Sequence, residues 1–404
     1  MPRKIICILC ICLTCLLLSG CTIGKRELSD LALVMAVGLD KGEEEGKIKV
    51  TVQIVRPADA RGQTGSPSGQ TGDPIWSASA EGETIFDSIR NLSKFSSRRV
   101  FWAHNFIIVI NEDLAKNGIS DIIDFFTRNP ELRMRTWVVV TPDKASAIVS
   151  TMTGLETVPG EAIDKLFRYT PISAQAPRTQ MIDLQSAYLS ESSQPVLARV
   201  RLIGRGVSNK KPGQAGAVEQ IELAGAGVFK NDKLVGHIAP PEVRGLLPFI
   251  EPVDTGVLVL TCPEDSSKKM SVELRNQKFN VEPSYENGKP SFQISYSTDG
   301  SIVESACPFT LEDRDKVKDL EDQMKKDKKK QFELIVHKAT KEFKSDFLEL
   351  GKVFMNKYPS EWRKIGPRWE EIFPTVAVDI DIETNITDSV LLERPTKPGG
   401  SVRD

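Results

Sequence analysis

Runs of apolar residues mark out the strands. Leu31 to Asp40 is apolar almost throughout and reads as a buried strand. Ile48, Val50, Val52 and Ile54 alternate with Lys49, Thr51 and Gln53, the pattern of a half-buried strand, and the polar turn Lys41–Lys47 makes the two a hairpin. Thr84, with Asp87 three residues on, opens a helix whose apolar stripe is Ile85, Ile89, Leu92 and Phe95. Phe106–Ile110 and Trp137–Thr141 are buried strands. Asn111 caps a short helix that Gly118 ends, and helices follow at Ile119–Thr127, Asp143–Met152 and Glu161–Phe167. Together these predict an α+β domain over 21–180. Within it, residues 57–82 are rich in Gly, Ser, Gln and Pro and too poor in apolar surface to order themselves, which predicts a mobile loop.

A helix from Thr179 to about Ser190 and strands at Leu197–Ile203, Ile221–Phe229, Lys233–Ile238 and Val257–Leu260 predict a small middle domain over 181–265. Next comes a meander: Met270–Glu282, Ser291–Ser297 and Ser301–Ser305, with Asn287-Gly288 and Asp299-Gly300 as tight turns. Val317, Leu320, Met324, Ile335, Ala339, Phe343, Phe347, Leu350 and Phe354 keep helical spacing. Uninterrupted to Lys357, that helix would run ~65 Å, its charged first half standing off the body. Val376, Val378, Ile380 and Ile382 alternate with acids as a final strand. The C-terminal domain is thus α+β over 266–394, with a loose tail at 395–404. The fold class is α+β: three domains of mixed, mostly antiparallel sheets with packed helices and a long helix in the last.

The N-terminus reads differently. Arg3 and Lys4 precede an apolar zone, Ile5–Leu18, of 14 residues, and Ser19-Gly20 follow. A membrane span needs ~20 apolar residues, so residues 1–20 read as a cleaved signal peptide. Leu18-Ser19-Gly20-Cys21 resembles the lipobox of bacterial lipoproteins. That resemblance implies a diacylglycerol on the Cys21 thiol, Cys21 as the first mature residue with an amino group open to further acylation, and tethering outside the cytoplasmic membrane.

Composition narrows the function. The net charge is −2, and loss of Arg3 and Lys4 takes it to about −4, a balance that argues against nucleic acid as the main partner. Of seven cysteines only Cys21, Cys262 and Cys307 remain after the signal. Cys262 and Cys307 either pair, as the compartment permits, or stay as separate buried thiols. No metal-ligand spacing, HExxH, GxSxG, Walker loop or Rossmann fingerprint occurs.

Individual side chains add little chemistry. His104 and His237 read as hydrogen-bonded structural histidines and His337 as exposed. Asp379, Asp381 and Glu383 read as the wet face of a strand, not a calcium site. Lys325–Lys330 reads as a solvated helix face in preference to a site for anionic headgroups. The chain is therefore expected not to be an enzyme and to hold no cofactor beyond the lipid on Cys21.

Several patterns in order resemble one family, the C-subunit lipoproteins of bacterial spore germinant receptors (Ger(x)C). They are Gly20-Cys21, Glu27-Leu28, Ala36–Asp40, Ser97–Arg99, His104, Asn111–Ala115, Gly118-Ile119 and Arg128–Arg133. Gly227–Gly236, Asp346-Phe347, Gly351, Pro359, Trp362, Trp369 and the strand Val376–Ile382 complete them. The chain departs from the family in having Thr22-Ile23 where a tryptophan often follows the cysteine, and in its polar loop at 62–73. The resemblance implies a non-enzymatic subunit of three α+β domains on the outer face of the spore's inner membrane. Its partners would be two integral-membrane proteins, the A and B subunits, in a complex that senses nutrients such as amino acids or sugars and ends dormancy. The competing readings are an extracellular solute-binding lipoprotein, which favours two α/β lobes, and a lipid-anchored hydrolase using His104.

Overall fold

The structure, a computed structural model, describes residues 31–55, 75–151, 158–168, 174–207, 217–307 and 312–389. The signal segment, Cys21, most of the expected loop at 57–82 and the tail at 395–404 lie outside the described residues. The remainder of that loop is ordered: Ile75–Gly82 is a strand paired antiparallel along its length with Ile48–Val55. Its alternation is too weak to show in sequence, since only Ile75, Ala78 and Gly82 are buried.

Nine strands form the first sheet. They are β1 Leu31–Lys41, β2 Ile48–Val55, β3 Ile75–Gly82, β4 Arg99–Phe101, β5 Ile107–Asn111, β6 Trp137–Thr141, β7 Val196–Val207, β8 Ala217–Lys230 and β9 Lys233–Ile238. The order is β3-β2-β1-β5-β6-β7-β8-β9, with β4 beside the start of β1. Its centre is parallel: β1 with β4 and β5, β5 with β6, and β6 with β7. Parallel strands are covered on both faces, and this explains the unbroken apolar runs of β1, β5 and β6. One face packs α1 Ile85–Leu92, α2 Glu112–Ala115, α3 Ser120–Arg128 and α6 Met181–Tyr188. The other packs α4 Ala145–Ser150 and α5 Pro159–Arg168.

Covering both faces corrects the half-buried reading of β2. Thr51 and Gln53 are buried too. The Gln53 amide donates to the Val149 carbonyl, and its oxygen accepts from Gly160 N–H at 3.1 Å, so a polar side chain is satisfied under the helices. Asp40, at the end of β1, accepts from Ala145 N–H at 2.7 Å and Ser146 N–H at 2.8 Å, capping α4 from a distant point in the chain.

The segment 181–265, expected as a domain of its own, is divided between two sheets. β7–β9 extend the first. β10 Gly256–Thr261 joins β11 Lys269–Glu286, β12 Lys289–Ser305 and β13 Ala377–Ser389 in a four-stranded sheet ordered β10-β11-β12-β13. Between the sheets lies α7 Pro240–Ile250, not expected from the sequence. Its signal was nonetheless present: Pro240 and Pro241 open the first turn, and the Glu242 carboxylate accepts from Ala239 N–H at 2.8 Å.

Asn287 and Gly288 take left-handed φ of 51° and 79° and make the expected tight turn. Asp299-Gly300 does not. It lies inside the continuous β12, opposite Arg275 and Leu274. Gly300 serves close packing instead, because a Cβ there would meet Val272 Cγ1 at 2.7 Å and Met324 Cε at 3.0 Å.

Met324 belongs to α8 Arg314–His337, which lies on the second sheet and does not stand off it. The expected single helix is broken. A π-helical turn at Lys338–Phe343 follows α8, Lys344 takes a left-handed φ of 50°, and the helix resumes only as α9 Leu350–Lys357. α10 Pro359–Ile365 and α11 Trp369–Ile372 precede β13.

Cys262, just after β10, and Cys307, just after β12, form a disulfide in the core beneath α8. It closes a loop with a sequence separation of 45. In the chain-entropy account such a loop contributes about 4 kcal/mol. Reduction, or Cys307→Ala, is expected to cost about 2–4 kcal/mol. The measurement is a lower urea midpoint, with added reductant making no further difference to the variant.

Lys328 corrects the reading of Lys325–Lys330 as a solvated face. Lys325, Lys326, Lys329 and Lys330 are exposed, but Lys328 is 3% exposed. Its ammonium sits 5.3 Å from the Tyr296 ring centroid. Burial, with Arg244 adding repulsion, pushes its pKa down to about 8. Between that value and the ordinary lysine range the unfolded chain binds more protons than the folded one, so this group's contribution to stability rises with pH across the interval. Lys328→Met is therefore expected to stabilise the protein by about 1–3 kcal/mol at pH 7. The gain should shrink toward zero near pH 10.5, as followed by urea unfolding at both pH values.

Candidate functional site

The β8–β9 hairpin and the break after α8 meet where the two sheets join. Asn231, at left-handed φ 56°, turns the hairpin, and its N–H donates to Gln194 Oε1 at 2.5 Å. Gln194 N–H donates to the Asp346 carbonyl at 2.9 Å, and Ser345 Oγ donates to the Phe229 carbonyl at 2.5 Å. Three backbone segments far apart in sequence are thus laced together.

Asp346 is the hub. Its carboxylate accepts from Leu350 N–H at 3.0 Å, Gly351 N–H at 2.7 Å and Trp369 Nε1–H at 2.9 Å. Burial pushes its pKa up to about 7, against the pull of those three donors. Lys344 and Glu349 flank it at left-handed φ of 50° and 58°, conformations unfavourable for residues with a Cβ and held here by the surrounding contacts. Gly351 has no room for a side chain: a Cβ would meet the Ser192 carbonyl at 2.5 Å and Trp369 Nε1 at 2.6 Å. Gly236 is likewise pressed on Phe343, with 2.2 Å to Cε1 from a built Cβ. Beneath the hub Phe354, Trp362, Trp369 and Phe373 pack with Val196, Val228 and Leu247 as one core shared by both sheets.

Above it opens a cleft of about 520 Å³. Lys230, Lys344 and Arg368 line it with Glu191, Glu370 and Glu371, and Lys230 pairs with Glu370 at 3.5 Å. This rim carries both signs of charge and no histidine or cysteine. Charges of both signs suit recognition of a charged surface or a zwitterion. A second groove, of about 590 Å³, runs between α1 and α3 over Trp102, Ile89 and Phe125, with Arg99 and Arg128 at its rim.

The residues singled out from sequence fall as follows. Gly227–Gly236, Asp346-Phe347, Gly351, Trp362 and Trp369 converge on the hub. Arg99 and Arg128–Glu131 line the second groove. The histidines are not held by burial: His104, His237 and His337 are all exposed, His104 standing beside Phe101 with ring centroids 6.3 Å apart. Asp379, Asp381 and Glu383 are exposed along β13. Among the described residues no three His, Cys, Asp or Glu side chains group to hold a metal. The capping role of Asp40 was missed, although an acid ending an apolar run is a sign that backbone donors wait for it.

The chain matches two family models, the spore germination protein N-terminal domain over residues 24–202 and the spore germination B3/GerAC-like C-terminal domain over 224–390. It is 29% identical to spore germination protein KC of Bacillus subtilis (strain 168), over 98% of each chain. It is 25% identical to spore germination protein A3 of the same organism, over 94% of this chain and 96% of that one. Among solved structures, the crystal structure of the GerBC protein superposes with a TM-score of 0.53 at 21% identity, covering 87% of this chain and 98% of the other, which establishes the shared fold. The chain belongs to the Ger(x)C family of germinant receptor subunits and takes part in spore germination.

Proposed function

We propose that this chain is the C subunit of a germinant receptor, tethered by a diacylglycerol on Cys21 to the outer face of the spore's inner membrane. It acts there as a non-enzymatic scaffold beside integral-membrane A and B subunits in nutrient-triggered germination. The observation that carries this reading is a match to germination proteins along nearly the whole chain, joined to the Leu18–Cys21 motif at its head. The mixed-charge cleft at the hub supports recognition over chemistry. Among the described residues no helix is long and apolar enough to cross a membrane.

Crosslinking in membranes from sporulating cells, with trapped neighbours identified by mass spectrometry, tests the reading. Two multispanning neighbours are expected; an absence of membrane neighbours sinks it. The cleft also favours a second reading, solute binding, because a rim of both charge signs suits an amino acid. Calorimetry on the full mature chain separates the two: stoichiometric heat with amino acids or sugars supports the second.

A further inference from the structure

We infer that the end of the first sheet where β1 begins is the surface the protein lays against an anionic bilayer. Leu31 pairs with Arg99 at the start of β4, Phe106 and Trp137 fall level with Met35, about 13 Å further along β1, and the Arg99–Glu131 pair brings the loop before β6 back to this end. Exposed cations crowd that end. Lys94 and Arg98 precede β4, Arg128 ends α3, and Arg133 and Arg135 precede β6, with Arg99 itself between them. Two of the six are matched, Arg99 by Glu131 at 2.6 Å and Arg128 by Asp124 at 2.7 Å. Lys94, Arg98, Arg133 and Arg135 have no ion pair among the described residues. The nearby Asp183 carboxylate is turned to its own helix, accepting from Gln180 N–H at 3.0 Å. Phe95 and Ile182 stand out from the same end, 55% and 51% exposed.

Two features select the bilayer as occupant. Cys21 precedes Leu31 by ten residues, so an anchor on Cys21 keeps this end within ~36 Å of the membrane. The charge left over is positive, on a protein whose net charge is −2, and arginines beside exposed apolar side chains suit the headgroup boundary. The inference rests on the anchor proposed at Cys21, and the two can fail separately. The anchor is read from the mass of the mature N-terminal peptide. The surface is tested on the full mature chain carrying Cys21→Ala, which has no lipid.

That chain is sedimented with phosphatidylcholine vesicles with and without phosphatidylglycerol. Partition onto the phosphatidylglycerol vesicles, weakened by salt and absent from phosphatidylcholine alone, is expected. Arg98→Gln, Arg133→Gln and Arg135→Gln together should weaken it about a hundredfold, at roughly fivefold per residue. Lys325→Gln, Lys326→Gln and Lys329→Gln, on exposed positions of α8, should leave it unchanged. The inference is overturned if the parent chain ignores both vesicles, if the arginine variant binds as well as the parent, or if the lysine variant shows the loss instead. Crosslinks from this end to a protein neighbour, with no vesicle binding, would assign it to a protein partner.

Discussion

Replacing Cys21 by alanine is expected to abolish the nutrient response of spores while the body of the protein stays folded. In the proposed anchor the sulfur carries two acyl chains. One chain alone holds a protein to a membrane only marginally, at ~10⁴ M⁻¹, whereas two hold it stably at ~0.8 kcal/mol per buried methylene. Anchoring raises the effective concentration of weakly binding neighbours and is worth ~10²–10⁴ in apparent affinity without any new contact. Cys21→Ala removes that factor and touches none of the described core. Germinant dose–response of variant spores, membrane fractionation and urea unfolding of the unlipidated chain check these three effects. A normal response from a chain shown to carry no lipid would falsify the proposed anchor as the basis of function.

Asp346→Ala is expected to destabilise the protein by about 3–5 kcal/mol. The carboxylate is 3% exposed and accepts three N–H bonds, from Leu350, Gly351 and Trp369. Its loss leaves three donors without a partner at a point water reaches poorly, and each orphaned donor costs about 1–3 kcal/mol. Asp346→Asn should cost less but not nothing. Both carboxylate oxygens are acceptors here, and an amide NH₂ in place of one would face N–H groups. Urea unfolding of both variants gives the two values. Equal stability of the alanine variant and the parent would remove Asp346 from its place as the hub. Under the proposed scaffold role, a folded but destabilised Asp346→Asn chain should also bind its proposed membrane partners more weakly, because the joint it loosens is the one beneath the cleft.

Much of the first sheet was legible because its strands are buried on both faces. LALVMAVGL, IIVI and WVVV leave no helical period to compete with, and Thr84 and Asn111 announce the helices they cap. Which strands pair was not legible. Strands β7–β9 have turns and alternation like those of the meander, and only long-range pairing assigns them to the first sheet and β10 to the second. The break after α8 was hidden because Lys344 and Glu349 are uncommon residues for a left-handed backbone, and the apolar spacing runs on through them. Asp299-Gly300 misled for the converse reason: a dipeptide suited to a turn is equally suited to a strand crowded by Val272 and Met324. Lys328 was unreadable among its neighbours, since its burial depends on Tyr296 from a distant strand.

The hub shows the same limit. Asp346, Gly351, Trp362 and Trp369 could be named from a family pattern, but their meeting with Gln194 and Asn231 is a tertiary fact. No local rule of spacing predicts that Ser345 will close on Phe229 across 116 positions.

The placement of β1 has a mechanical consequence. It is flanked by β2 on one side and by β4 and β5 on the other, and the proposed anchor at Cys21 lies ten residues before its first residue in sequence. Under that proposal, tension drawn along β1 acts across hydrogen bonds that lie at an angle to it on both sides. Those bonds bear the load together in shear, whereas the bonds of a peeled edge break in succession. A chain held to a bilayer at this point resists being drawn out of shape by movements of the membrane or of the proteins beside it.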